Sequence, residues 1–161
     1  AVAQDELALL IKPSGYFNAK AKKLKALADF LWREYEDDIQ ALRAEEAILL
    51  REKLLEVYGI GEETADCIVL YVAEAPTFVV DAYSKRLLSR LGVIDGRERY
   101  ENLRQLLLRT LPEDVHMLGE YHALIVRHGQ GICRKTAPLC NCCVLQSGCA
   151  LAKSIEANRR R

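Results

Sequence analysis

Leu54-Leu55-Glu56-Val57-Tyr58-Gly59-Ile60-Gly61-Glu62-Glu63-Thr64-Ala65 sets an apolar helix end, a Gly-Ile-Gly reversal and a new helix in immediate succession. Four residues with two glycines are too few and too permissive for anything but a tight turn. Around this turn the apolar residues recur at helical spacing, as in Leu7, Leu10 and Ile11, or Leu24, Leu27, Ala28 and Leu31. That period predicts an all-α chain. Upstream, a short helix should end at Pro13-Ser14-Gly15. A second should run from an N-cap at Asn18 to about Tyr35, and a third over roughly 44–57 beyond the acidic stretch Glu36-Asp37-Asp38. Downstream, a helix over 62–73 should stop before Pro76. Thr77-Phe78-Val79-Val80 has no partner strand and reads as a buried extended connector. Asp81 then caps a helix that Gly92 closes, and two more follow at about 98–110 and 112–128, the second with Pro112 in its first position.

The chain has 161 residues, half of them apolar and 29% charged, which excludes disordered and fibrous classes. Its longest apolar run, Cys67 to Ala73, falls far short of the roughly 20 residues that a membrane helix needs, and no signal peptide opens the chain. A soluble monomer in the cytoplasm or nucleus is expected. Net charge is zero, yet residues 133–161 carry six basic side chains against one acidic. A basic segment on a mildly acidic body is the uneven footprint of nucleic-acid binding. Arg159-Arg160-Arg161 at its end reads as a solvated tail.

Five of the six cysteines crowd into this segment: Cys133, Cys140, Cys142, Cys143 and Cys149. Disulfides account for them poorly in a chain of this size with a good core. Thiolates select zinc or iron–sulfur clusters, and four on one short loop can surround either. Cys133, Cys140, Cys143 and Cys149 follow C-x6-C-x2-C-x5-C, one close pair with two outliers, whereas zinc sites usually pair two close knuckles. Cys142 is then a spare, and Cys67, on an apolar helix, a small core residue.

The cysteine spacing, with His128-Gly129 upstream and Pro138 within it, resembles the [4Fe-4S] loop of the endonuclease III family of DNA glycosylases. Residues 54–65 likewise resemble the helix-hairpin-helix motif, here spanning 54–74, in which backbone amides at Gly59, Ile60 and Gly61 would hold one DNA phosphate. Twenty residues beyond Gly61 stands Val79-Val80-Asp81-Ala82-Tyr83-Ser84. In this family a Val-Asp at that interval carries the catalytic carboxylate, so the resemblance assigns that role to Asp81, while a plain helix cap is the alternative. Such a carboxylate can stabilise the cationic sugar and guide the attacking water.

Bifunctional members of the family have a lysine two residues after the second hairpin glycine, and here that position is Glu63. A carboxylate forms no Schiff base, so the resemblance implies a monofunctional glycosylase. Residues 61–66, Tyr71-Val72 and 80–84 are more similar to the alkylated-base (3-methyladenine) branch than to the oxidised-pyrimidine branch. The implied fold is a helical barrel lobe over 1–111 with a cluster lobe over 112–161, gripping duplex DNA that contains a damaged base. Arg134 and Lys135 are expected at phosphates. Family members begin earlier, with a gap-filling Leu-x-Gln segment that has no match here, so the resemblance implies a chain shortened at its start. A non-catalytic DNA-binding module, a bifunctional glycosylase/lyase and an electron-transfer cluster protein are the competing readings.

Overall fold

The Gly-Ile-Gly turn joins two helices in the computed structural model of the protein, which describes residues 2–159. The chain divides into two compact units, Ala1–Ala75 and Pro76–Arg161. All regular structure among the described residues is helical, and no helix among them is long and apolar enough to cross a membrane.

The first unit holds α1 (Gln4–Leu10), α2 (Phe17–Tyr35), α3 (Ile39–Ala44), α4 (Ala47–Glu56) and α5 (Glu62–Tyr71). Pro13 sits in a 3-10 turn, Lys12–Ser14, and Gly15 and Tyr16 follow with φ of 65° and 47°. The left-handed Tyr16 starts α2 one residue before Asn18, which therefore lies inside the helix rather than capping it. The helix expected over 44–57 is α4, starting at Ala47, and a short helix not expected from the sequence, α3, precedes it. Asp38, within the acidic stretch read as a separator, caps α3 by accepting from Gln40 N at 2.8 Å. Glu46 caps α4 by accepting from Leu49 N at 2.9 Å. Phe30, Tyr35, Leu42, Leu50, Leu54, Val57, Ala65, Val69 and Ala73 form the core. Each large side chain there contributes about 1.5–3 kcal/mol by burial. Tyr35 Oη donates to Glu45 Oε2 at 3.0 Å, while Lys53 holds the same oxygen. Burial first, then the bond to Glu45 and its charge, push the Tyr35 phenol well above its usual range. Arg51 on α4 grips the fully buried Asp66 on α5 with two hydrogen bonds, 2.9 and 3.2 Å, pinning the helices on either side of the hairpin.

The second unit opens with the extended connector, whose Thr77, Phe78, Val79 and Val80 are all buried as expected. Its helices are α6 (Ala82–Leu91), α7 (Tyr100–Thr110), α8 (Val115–Gly131) and α9 (Ala150–Arg159). From α7, Arg104 Nε donates to Thr77 Oγ1 at 3.0 Å and Tyr100 Oη accepts from Val80 N at 3.3 Å, so the buried Thr77 hydroxyl and Val80 amide are both met. The helix expected at 98 begins at Tyr100, because Glu98 instead accepts from the amides of Asp95 and Gly96 at 3.0 Å. Asp114, not Pro112, opens α8, accepting from Met117 N at 2.9 Å. Gly92 ends α6 with φ of 85°, as its position predicted. α6 packs against α8 and α9. Of the three arginines read as a solvated tail, Arg159 ends α9, and Arg160 and Arg161 lie outside the described residues.

Candidate functional site

In the first unit the reversal after α4 depends on Gly59, whose φ is 84°. A Cβ there would also come within 2.3 Å of Lys23 Cγ. Gly61 differs: it is extended (φ −105°, ψ 177°) and open to solvent, and it stands at the N-cap of α5 with no side-chain cap. The first amides of α5 therefore face outward, the arrangement that favours an anion. Glu62 and Glu63 occupy the first turn and are exposed, so negative charge stands beside that opening. Two lysines of α2 offset it: Lys23 packs against Gly59, and Lys22 Nζ lies 4.2 Å from the centroid of the Tyr58 ring. Neither was identifiable from spacing alone, since α2 is far from the hairpin in sequence.

In the second unit Asp81 ends the buried connector and caps α6, its Oδ1 accepting from Ser84 N at 2.7 Å. A carboxylate 9% exposed at a helix N-terminus is both partly desolvated and held by the amide that it caps. His122 of α8 brings Nε2 to 3.7 Å from Asp81 Oδ2. Burial pushes the carboxyl upward, but His122 and the bonds from Ser84 outweigh it and hold Asp81 below the usual carboxylate value. The group is therefore charged at neutral pH. Lys85 lies one helical turn on, its amide bonded to the Asp81 carbonyl at 3.1 Å.

Beyond α8 the chain folds back as the cysteine loop. Cys133, Cys140, Cys143 and Cys149 line one pocket with Arg90 and His128, while Cys142 is exposed and lines a different one. Arg86 of α6 donates to the carbonyls of Cys133 at 2.9 Å and Gly129 at 2.7 Å. Arg90 donates to Cys133 Sγ at 3.2 Å and to the carbonyls of Arg134 and Lys135 at 2.7 and 3.0 Å. His128 Nε2 stands 3.6 Å from Cys143 Sγ. Gly129 permits this packing, because a Cβ there would meet Tyr83 Cδ1 at 2.5 Å. Among the described residues no three His, Cys, Asp or Glu side chains converge closely enough for a single metal ion. Cys67 is half-buried on α5, well away in sequence. Arg134 and Lys135 are exposed at the start of the loop, with Arg134 Nε donating to the Gly131 carbonyl at 3.0 Å.

Residues 1–113 match the family described as HhH-GPD superfamily base excision DNA repair protein. The chain is 42% identical over 149 residues to a candidate DNA repair glycosylase of Methanocaldococcus jannaschii, a match covering 92% of this chain and 67% of that protein. It is 29% identical over 140 residues to endonuclease III of Sulfolobus acidocaldarius, covering 86% of this chain and 59% of the relative. A solved non-covalent endonuclease III–DNA complex superimposes with a TM-score of 0.80 at 22% identity, over 97% of this chain and 68% of that one, a likeness of fold. The chain thus spans roughly two thirds or less of the length of these relatives.

Proposed function

Because the chain belongs to the HhH-GPD superfamily of base excision DNA repair proteins, we propose that it is a monofunctional DNA glycosylase, which extrudes a damaged base from duplex DNA and hydrolyses its N-glycosidic bond. The observation that carries this reading is Asp81: a buried, ionised carboxylate at the mouth of a helix, with one oxygen fixed by Ser84 N and the other beside His122. Base departure breaks the C1′–N bond, and the base leaves with the electron pair and takes up a proton. Positive charge develops on the deoxyribose, where the Asp81 carboxylate stabilises it. Water then bonds to C1′ and gives up a proton, for which the same carboxylate is the nearby acceptor. Glu63 offers no amine, so the product is an intact strand with an abasic site.

The amides of Gly59 and Gly61 would hold one phosphate, that of Ile60 being donated to the Val57 carbonyl at 3.0 Å, with Arg134 and Lys135 at others. Such contacts position the duplex without reading its sequence. Thiolates of Cys133, Cys140, Cys143 and Cys149 would hold the [4Fe-4S] cluster, and their shared pocket supports this assignment, since a cluster takes one thiolate at each of four irons. A single zinc needs sulfurs gathered about 2.3 Å from one centre. When bound, the cluster supplies a covalent cross-link that fixes the loop. A panel of duplexes, each with one damaged base, tests the function. Free base and an alkali-labile but unbroken strand are expected from at least one duplex, and far more slowly from Asp81→Asn. Binding without base release from any duplex would leave only a DNA-binding module.

A further inference from the structure

α8 turns its buried face inward through Leu118, His122, Ile125 and Gly129. Spacings of four, three and four make this one helical stripe, in which His122 occupies a core position. An imidazole there is costly to bury unless a polar group meets it, and an apolar side chain would pack with less penalty. Beside it stands Asp81: Nε2 is 3.7 Å from Oδ2, and both residues are 9% exposed. The edge of the ring is set against Phe78, centroids 6.4 Å apart at 84°, so its plane is fixed by the buried connector that also delivers Asp81. Oδ1 is committed to the α6 cap through Ser84 N. Oδ2 is the oxygen left to serve the sugar, and His122 is the side chain beside it.

We propose that His122 is the positioning residue of Asp81, its Nε2 orienting Oδ2 for the deoxyribose. This inference rests on the glycosylase reading above. The distance is slightly long for a hydrogen bond, as pairs at catalytic sites often are before substrate tightens them. Because the two residues come from α8 and from the N-cap of α6, the packing of those helices sets the pair.

Two variants separate positioning from mere packing. His122→Phe keeps a ring against Phe78 and loses the N–H, whereas His122→Gln loses the ring and keeps a donor. Positioning predicts single-turnover base release about tenfold slower in His122→Phe, with Kd for the same duplex unchanged and most of the rate restored in His122→Gln. A packing role predicts the reverse order: His122→Gln the poorer, in step with its melting temperature. Carbon-13 NMR titration of the Asp81 carboxyl is read in parallel and needs no substrate. In His122→Phe it should move up toward the ordinary carboxylate value, and in His122→Gln it should move less. An unchanged titration, or an unchanged rate in His122→Phe, overturns the inference. If the unsubstituted protein releases no base, the glycosylase reading fails, and the titration alone still decides whether His122 governs Asp81.

Discussion

Asp81 caps α6, and the proposed mechanism gives the same side chain a second task, which substitutions can separate from the first. Asparagine keeps the cap, so Asp81→Asn should lose only the modest stability that the ionised carboxylate adds, while base release falls by roughly 10²-fold or more through loss of charge. Asp81→Ala should in addition lose about 1 kcal/mol of stability with the cap. Since the folded carboxyl lies below its ordinary value, its ionisation stabilises the native state above the unfolded-state pKa. That contribution is lost as pH falls through the lower, folded value. The stability difference between unsubstituted protein and Asp81→Asn, followed by urea unfolding, should therefore shrink in the acid range and be steady from pH 5 upward, counting about 3.9 as ordinary for aspartate. The cap and buried connector at Asp81 were legible in the sequence, and the family interval makes the same position the candidate carboxylate. His122, Arg86 and Arg90 were not legible, because each meets a partner more than forty residues away across the α6–α8 packing.

The hairpin shows what an element adds to its residues. Both glycines look alike in Gly59-Ile60-Gly61, yet only Gly59 has a left-handed backbone and a side chain packed against it. Gly59→Ala should cost about 1–2 kcal/mol in urea unfolding, and Gly61→Ala much less. The reverse ranking would mean that the turn has another geometry. The cysteine loop permits an equally sharp division. Purified under mild conditions, the protein should contain iron and labile sulfide in near-equal amounts; replacing Cys133, Cys140, Cys143 or Cys149 by serine should abolish them, and Cys142→Ser should not. Colourless protein with one zinc would contradict the assignment. Helical class was readable, but boundaries were not wherever an acidic residue chose between cap and loop: Asp38 starts the unexpected α3, Glu46 delays the start of α4, and Asp114 delays that of α8. α9 was not anticipated, since the basic residues at its end suggested only a tail.

At the scale of the whole molecule, a chain of zero net charge can bind a polyanion, as proposed, only with locally placed charge. Affinity for duplex DNA should fall steeply with salt, and Arg134→Ala with Lys135→Ala should weaken unrelated duplexes about equally, because phosphate contacts carry no base information. Loss on one sequence alone would place the loop against base edges. Family and helical class were legible because the hairpin, the aspartate interval and the cysteine spacing are local in sequence. The base that is excised was not, because a base pocket is assembled from side chains that no spacing rule brings together. The most direct measurement is the reaction of the unsubstituted protein with a duplex bearing a base that it excises, run with and without borohydride. A monofunctional enzyme gives free base, an unbroken abasic strand and no trapped complex, and Asp81→Asn gives the free base and abasic strand roughly 10²-fold more slowly or worse. Efficient covalent trapping with strand cleavage would contradict the water-based mechanism and the place given to Glu63.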